Sequence, residues 1–291
     1  MQKEMIPKID VIMPTWNSNR PFFKRVVELI KCYVPVHKFI VVDRYSTDGT
    51  LEVIKEYFPN AIIIQTNSNL ALARKIGTRY ADCEIISFID DDVFISEKWF
   101  YTLYFLMKLF PTIGMVYPLY GLIRPGDKLI EVLRKRNDVN IKELVFRGLS
   151  AIRGRTIATM IRRNLVLDWN PPKGLYAFED YHLSQHILSK GALVIQVNKP
   201  LALHAPGNSY TTVKTHFIKA AWNGAGMRLT NAMNLFEVSL YSLARIVQGL
   251  KQDNKNRLRY AGYKNQIEYT IAMLGYVVGW MFPHKYLVSK R

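Results

Sequence analysis

Cysteine is almost missing from this chain of 291 residues: Cys32 and Cys83 are the only two, far apart and outside any CxxC spacing. That excludes a disulfide framework, gives no zinc or redox signature, and fits a reducing compartment. Acid is scarce as well. The 23 Asp and Glu stand against 40 Lys and Arg, for a formal net charge of +17. Such an excess draws anionic partners: nucleic acid, an acidic membrane surface or phosphate-bearing substrates. No recognisable reading motif or cluster of aromatics accompanies the basic residues, so nucleic acid is not the expected partner. No internal repeat or low-complexity tract is visible, and residues 1–7 are polar and charged, which argues against a secretory leader. Apolar runs are short, and none reaches the roughly 20 uninterrupted residues that a confident membrane span requires.

What is present suffices for a folded protein. Half of the chain is apolar (49%), enough to bury a sizeable core in one large domain with an appendage or in two modest domains. In the first ninety residues, short runs rich in Ile and Val (9–13, 39–42, 61–64 and 84–89) alternate with stretches of helical periodicity at 21–32, 48–57 and 69–81. That alternation predicts crossover units and a parallel sheet covered on both faces. Ligands bind such sheets outside the carboxyl ends of the strands. Those ends are Pro14-Thr15-Trp16-Asn17, Asp43-Arg44-Tyr45-Ser46 and Asp90-Asp91-Asp92. Downstream, 96–110 reads as a helix, 114–117 as a strand, and 119–163 as a basic stretch without a clean period. Residues 175–190 hold an acidic pair and a helix ending at Gly191, and 192–197 reads as another strand. From His216 the pattern turns to long helical segments, so we place the boundary between domains 1–215 and 216–291.

The run Ile85-Ile86-Ser87-Phe88-Ile89 ends in three consecutive carboxylates. Three like charges at one strand end raise one another's pKa unless a cation compensates. Alternate side chains of an extended chain point the same way, so Asp90 and Asp92 can face one ion together. Hard oxygen ligands suit Mg²⁺ or Mn²⁺, which keep positions open for substrate phosphates. The bland alternative is a solvated acidic loop ahead of the helix near Ser96.

The ordered set resembles a known family. Val11-Ile12-Met13-Pro14-Thr15-Trp16-Asn17, Val41-Val42-Asp43-Arg44-Tyr45-Ser46-Thr47-Asp48-Gly49-Thr50, Asn69 through Ala73-Arg74 to Gly77, then Asp90-Asp91-Asp92 is similar to family 2 glycosyltransferases of the GT-A fold. Phe178-Glu179-Asp180, Leu183, Gly191 and His204 extend the likeness over about the first 200 residues. The resemblance implies a Rossmann-like α/β sheet flanked by helices. It also implies a nucleoside pocket lined by Pro14, Thr15, Asn17 and Asp43, and Arg74, Asp90 and Asp91 near the donor's diphosphate. A metal would be held by Asp90 and Asp92 with His204, and the acidic dyad would supply Asp180 as base with Glu179 in support. Arg44 departs from the second acid that the family often carries on strand 2. Ser46, Thr47 and Asp48 read as the turn and cap of the next helix. Without the resemblance, Arg74 reads as an exposed helix arginine, Glu179 and Asp180 as acids at a helix start, and His204 as structural. His182 and His186 lack the HExxH pattern and read as ordinary helix residues. His216-x-x-Lys219-x-x-Trp222 is similar to the Gln-x-x-Arg-Trp element of processive members, with two of three defining residues changed. That likeness puts Lys219 near the leaving diphosphate and Trp222 under the acceptor sugar, and does not support processivity.

Residues 231–250 and 267–282 are the most apolar helical segments. Lys251, Lys255, Arg257, Arg259 and Lys264 lie between them, and Lys285, Lys290 and Arg291 follow. Basic flanks suit amphipathic helices lying in a membrane interface better than a crossing. Arg124, Lys128, Arg134, Lys135, Arg136, Arg147, Arg153, Arg155, Arg162 and Arg163 would extend the same footprint. The expected function is metal-dependent, inverting transfer of a hexose from a GDP- or UDP-sugar donor to a membrane-associated acceptor, such as a polyprenyl phosphate or lipid-linked glycan, at the cytoplasmic face. The rivals are a basic nucleic-acid-binding protein, a catalytically dead membrane-bound scaffold and a nucleotidyltransferase. The last would normally carry a glycine-rich loop after its first strand, which Pro14-Thr15-Trp16-Asn17 is not.

Overall fold

A computed structural model describes residues 7–122, 146–147, 154–205, 212–250 and 266–287. Of the basic residues singled out above, Arg124, Lys128, Arg134, Lys135, Arg136, Arg153, Lys251, Lys255, Arg257, Arg259, Lys264, Lys290 and Arg291 lie outside the described residues. The chain divides into two units, Met1–Asn170 with Leu183–Ala205 and Pro171–His182 with Pro206–Arg291. Each is described by itself.

The Ile- and Val-rich runs of the first unit form parallel strands β1 (Ile9–Thr15), β2 (Val36–Asp43), β3 (Ile62–Gln65) and β4 (Ile85–Ile89), ordered β3-β2-β1-β4. Both faces of the sheet are covered, which explains why the runs are continuous instead of alternating. Ile9, Val11 and Met13 of β1 belong to one apolar cluster and Ile12 to the other. Helices α1 (Phe23–Tyr33), α2 (Thr50–Tyr57) and α3 (Leu70–Thr78) make the crossovers. On α1, Phe23, Val26, Val27 and Ile30 fall on one stripe and are buried. The Asn69 side chain accepts the Leu72 N–H at 2.9 Å and so caps α3. Gly77 lets α3 close on β1, because a Cβ there would come within 2.4 Å of the Ile12 methyl.

Beyond β4 the sheet becomes mixed, in the order β4-β8-β6-β9-β5. Strand β8 (Ala158–Arg162) runs antiparallel to β4 and to β6 (Ile113–Leu122), and β6 pairs parallel with β9 (Leu193–His204). Strand β9 pairs antiparallel with β5 (Val93–Ile95) and with the short β7 (Phe146–Arg147). Helix α4 (Trp99–Leu109) links β5 to β6. Two of these features depart from the sequence pattern. Strand β8 sits inside the basic stretch where no strand was expected, since its five residues, with Thr159 and Arg162 among them and Ile161 as the one β-branched apolar residue, make no Ile- and Val-rich run. Strand β9 continues past Val197 to His204, through a register shift where Leu119 meets Pro200, the kind of bulge that accommodates a residue lacking an N–H. Helix α5 (Glu179–Ser189) begins in the second unit and ends in the first.

The second unit is helical: α6 (Val213–Leu229), α7 (Leu235–Leu250), α8 (Gln266–Met281) and α9 (Pro283–Leu287). Small residues let the backbones of α6 and α8 touch. A Cβ on Gly279 would lie 1.9 Å from the Ala221 carbonyl, and one on Gly275 would lie 2.5 Å from the Phe217 carbonyl. Arg228 closes the far end of α8 by donating to the carbonyls of Trp280 (3.0 Å) and Met281 (3.2 Å). Among the described residues no helix is long and apolar enough to cross a membrane. We expect Gly279→Ala to force these backbones apart at a cost of about 2 kcal/mol, read as a fall in urea-unfolding free energy. An unchanged midpoint would mean that the helices are not in backbone contact.

Candidate active site

The carboxyl ends of β1, β2 and β4 come together as parallel strands must, and each loop there is fastened by side chains. At β2, the fully buried Asp43 carboxylate accepts from the Thr15 hydroxyl (2.8 Å), the Ser46 N–H (2.8 Å), the Ser46 hydroxyl (2.5 Å) and the Gln65 amide (3.3 Å). The two residues expected to meet the nucleoside, Thr15 and Asp43, thus bond to each other and set the β1–β2 corner. Asn17 stitches the same loops, donating its N–H to Ser46 Oγ (2.8 Å) and accepting the Thr47 N–H at 2.9 Å. Asn17 and Tyr45 both adopt positive φ, 47° and 52°. A bulky residue in that region stores strain of the sort that collects at binding sites. Pro14 is half-buried in β1, paired with Val42. Asp48 accepts from the Thr50 N–H at 3.2 Å and from the Thr50 hydroxyl, the turn-and-cap role its sequence suggested. The Arg44 guanidinium lies 4.8 Å above the ring of Trp16 and donates from Nε to Asn67 at 3.0 Å. Trp16 and Tyr45 are more than half exposed, so an aromatic and cationic surface borders this corner.

The three aspartates follow β4, and the structure gives each a different partner. Asp90 pairs with Arg74 at 2.6 Å. Arg74 is wholly buried beneath it, 5.8 Å from the Phe88 ring, and not the exposed helix arginine that its sequence context alone allowed. Asp91 accepts from the Ser18 hydroxyl and pairs with Arg20 at 2.9 Å, which ties it to the loop after β1. Asp92 faces His204, with Nε2 3.4 Å from its carboxylate. β5 and β9 position that histidine, because Val93 pairs with His204 across the sheet. The carbonyl of Ala205 can only accept, so the 2.9 Å contact makes His204 Nδ1 the donor there and turns Nε2 towards Asp92. Burial, with Asp92 and Asp91 adding their charge and Arg74 opposing, pushes the Asp90 carboxyl up to about 7. Asp91 is pushed upward as well, again chiefly by burial.

Asp90, Asp92 and His204 are of the ligand types that suit a hard divalent cation, but among the described residues they do not form a trio whose ligand atoms all lie within 4.8 Å of one another. A different trio behaves otherwise. Asp10, His37 and Cys83 present possible ligand atoms within 4.8 Å of one another at the opposite strand ends. There the Asp10 carboxylate accepts the backbone N–H groups of Lys38 (3.0 Å), Asp82 (2.5 Å) and Cys83 (2.8 Å). Burial pushes the Cys83 thiol up to about 12, so it stays protonated, and the cluster reads as a knot that joins strand starts.

The remaining expected residues belong to the second unit. Glu179 and Asp180 open α5, nearly buried at 7% and 8% exposure. Phe178 just before them has φ 68°, and Gly226 of α6 presses on this segment, where a Cβ would meet the Ala177 carbonyl at 2.4 Å. Lys219 is exposed on α6, and Trp222 stacks on Tyr176 with centroids 6.0 Å apart and planes at 25°. His186, in the first unit, contacts Asp168 at 3.3 Å. Sequence reasoning missed Ser18, Arg20 and Tyr176. The first two follow Asn17 directly, and only the fold shows that they reach Asp91.

Residues 10–121 match the family model described as Glycosyl transferase family 2. Among curated proteins, the chain is 31% identical over 98 residues to the Staphylococcus aureus (strain Mu50) poly(ribitol-phosphate) beta-N-acetylglucosaminyltransferase TarS, covering 31% of this chain and 17% of TarS. It is 28% identical over 98 residues to the putative teichuronic acid biosynthesis glycosyltransferase TuaG of Bacillus subtilis (strain 168), covering 32% and 37%. The matches therefore span well under half of either relative. Among solved structures, the mannosyltransferase PcManGT from Pyrobaculum calidifontis, in complex with GDP-Man and Mn²⁺, superposes with TM-score 0.60 at 18% identity, covering 99% of this chain and 89% of that one. S. aureus TarS 1–349 in complex with UDP-GlcNAc gives 0.55 at 14% identity, with 96% and 92% covered. The fold is GT-A.

Arg74→Met should cost on the order of 3 kcal/mol, because it leaves Asp90 unpaired beside two other acids. Asp90→Asn in that background should recover part of the loss in a double-mutant cycle of unfolding free energies. Strict additivity would show that the pair is not coupled.

Proposed function

We propose that the family 2 glycosyltransferase domain this chain carries moves a hexose, with inversion, from a GDP- or UDP-linked donor to a membrane-borne acceptor, a polyprenyl phosphate or lipid-linked glycan. The observation that carries the reading is the cluster after β4: Asp90 backed by buried Arg74, and Asp92 facing His204. Asp90, Asp92 and His204 would hold Mn²⁺ or Mg²⁺, which would supply positive charge against the donor diphosphate. The chain's own residues do the rest. Arg74 fixes the orientation of Asp90, while Ser18 and Arg20 turn Asp91 towards the β1 loop and leave the outer acids to the ion. Thr15, Asn17 and Asp43 hold the loops that would border the nucleoside, next to the Trp16–Arg44 surface.

The base is Asp180, supported by Glu179. Its carboxylate takes the acceptor hydroxyl proton as the glycosidic bond forms and the diphosphate leaves. Lys219 offers a cation for the diphosphate, and the Trp222–Tyr176 pair offers a flat apolar face for a sugar ring. The similar proteins PcManGT and TarS, described with GDP-Man and UDP-GlcNAc respectively, support both donor classes. The basic excess of the chain supports an acidic lipid surface as the place of work, and the cytoplasmic face is the side where the two unpaired thiols stay reduced.

A panel of GDP- and UDP-sugars with and without Mn²⁺ tests this by thermal shift and by turnover. The cognate donor should stabilise the fold only when the ion is present, and Asp92→Asn should abolish that shift. Asp180→Asn should keep the shift and lower transfer by about 10²- to 10⁴-fold. Wild-type turnover in either variant would refute the assigned roles.

A further inference from the structure

Two helices of the second unit each carry a row of large apolar side chains on the outside. On α7, Phe236, Leu240, Leu243 and Val247 recur at i, i+4, i+7 and i+11, and their exposures are 70%, 49%, 56% and 50%. On α8, Ile267, Ile271 and Leu274 repeat the spacing at 71%, 42% and 48%, and Met281 and Phe282 follow at 47% and 48%. Other residues make the packed faces. α7 turns Val238 and Ser242 inward, and the Ser242 hydroxyl donates to the Met273 carbonyl at 2.8 Å. α8 packs with Tyr269, Ala272, Met273, Gly275 and Gly279. Helices of a water-soluble protein show the opposite arrangement, with large apolar residues in and polar residues out. Two neighbouring rows of this size exceed what a free surface ordinarily shows and mark a place of contact.

We propose that these two rows seat the chain on an anionic lipid surface, lying in its interfacial layer without crossing it. Charge selects this occupant. From Pro206 to Arg291 the sequence holds 12 Lys and Arg against 3 acidic residues. Lys251, Lys255, Arg257 and Arg259 follow the α7 row in sequence, and Lys285 lies 5.2 Å over the Phe282 ring at the end of the α8 row. A second copy of the same surface would bring like charge against like charge, whereas an acidic headgroup layer neutralises it. Length excludes a crossing. The α7 row from Phe236 to Val247 rises only ~16 Å at 1.5 Å per residue, against a hydrocarbon core of roughly 30 Å. Glu237 and Glu268 adjoin the first residue of each row, which suits headgroup depth and not the bilayer centre.

The inference deepens the membrane-borne acceptor proposed above, and its test is separable from that reading. The full-length chain is floated with vesicles of phosphatidylcholine alone and of phosphatidylcholine with phosphatidylglycerol, and the same preparations are assayed for the donor-plus-Mn²⁺ thermal shift. Binding should require the acidic lipid. Leu243→Glu and Leu274→Glu should each weaken it about tenfold or more, with the donor shift unchanged. The inference is overturned if the chain ignores acidic vesicles, or if the glutamate variants bind as well as the wild type. It is overturned too if those variants convert a dimer into a monomer in light scattering, since a second copy would then cover the face. Vesicle binding without any donor shift would leave the lipid surface standing and remove the transferase reading. A donor shift without vesicle binding would do the reverse.

Discussion

Three adjacent carboxylates cannot share the end of one buried strand without being separated or compensated, and the first unit is organised around that difficulty. Burial beside β4 penalises the charged forms of Asp90 and Asp91 and drives Asp90 up to about 7. The fold answers with three different neighbours. A guanidinium buried in α3 faces Asp90, a hydroxyl and a second guanidinium from the β1 loop face Asp91, and an imidazole from β9 faces Asp92. Each neighbour comes from a different element, so the cluster exists only when β1, α3, β4 and β9 are all in place. The middle acid is consumed in holding the scaffold, and Asp91 and Asp92 lie in a turn closed by the Val93 N–H, which donates to the Asp90 carbonyl at 3.3 Å.

The same economy governs the nucleoside side. Asp43 is spent on Thr15, Ser46 and Gln65, and Asn17 on Ser46 and Thr47. Polar residues that look like ligand contacts in the sequence are also the fasteners of the loops that would frame a ligand. What they leave facing solvent is Trp16, Tyr45 and the Arg44 guanidinium laid over Trp16. Asn17 suits the left-handed conformation it adopts, whereas the positive φ of Tyr45 shows that the corner holds that residue in a conformation it would not choose alone.

Much of this was legible in the residues. Continuous Ile and Val runs reported strands buried on both faces, and Asn69 announced the start of α3 by its capping chemistry. The order of the motifs pointed to the fold before any coordinates. What stayed hidden was non-local. Strand β8 is too short and too poor in Ile and Val to betray itself among basic neighbours, and the extension of β9 to His204 passes through Pro200, which reads as a break. Whether Arg74 is exposed or buried is undecidable from a helix pattern in which it could face either way. Tyr176 becomes notable only through its stacking on Trp222, 46 positions along the chain. In the helical unit, the amphipathic signal was readable but its polarity was not. Only the coordinates show that Gly224, Gly275 and Gly279 face the packed interior, while Phe236, Leu243 and Ile267 face outward.

The claim on which the functional reading depends is that Asp90 and Asp92 hold a divalent ion. Electron paramagnetic resonance of Mn²⁺ measures this directly, because the free-ion signal falls when the metal is bound. Titrating the full chain into Mn²⁺ with a nucleoside diphosphate present should deplete the free signal, and Asp92→Asn should restore it. A free-ion signal that the wild-type chain leaves unchanged, or that Asp92→Asn depletes equally, would contradict the account.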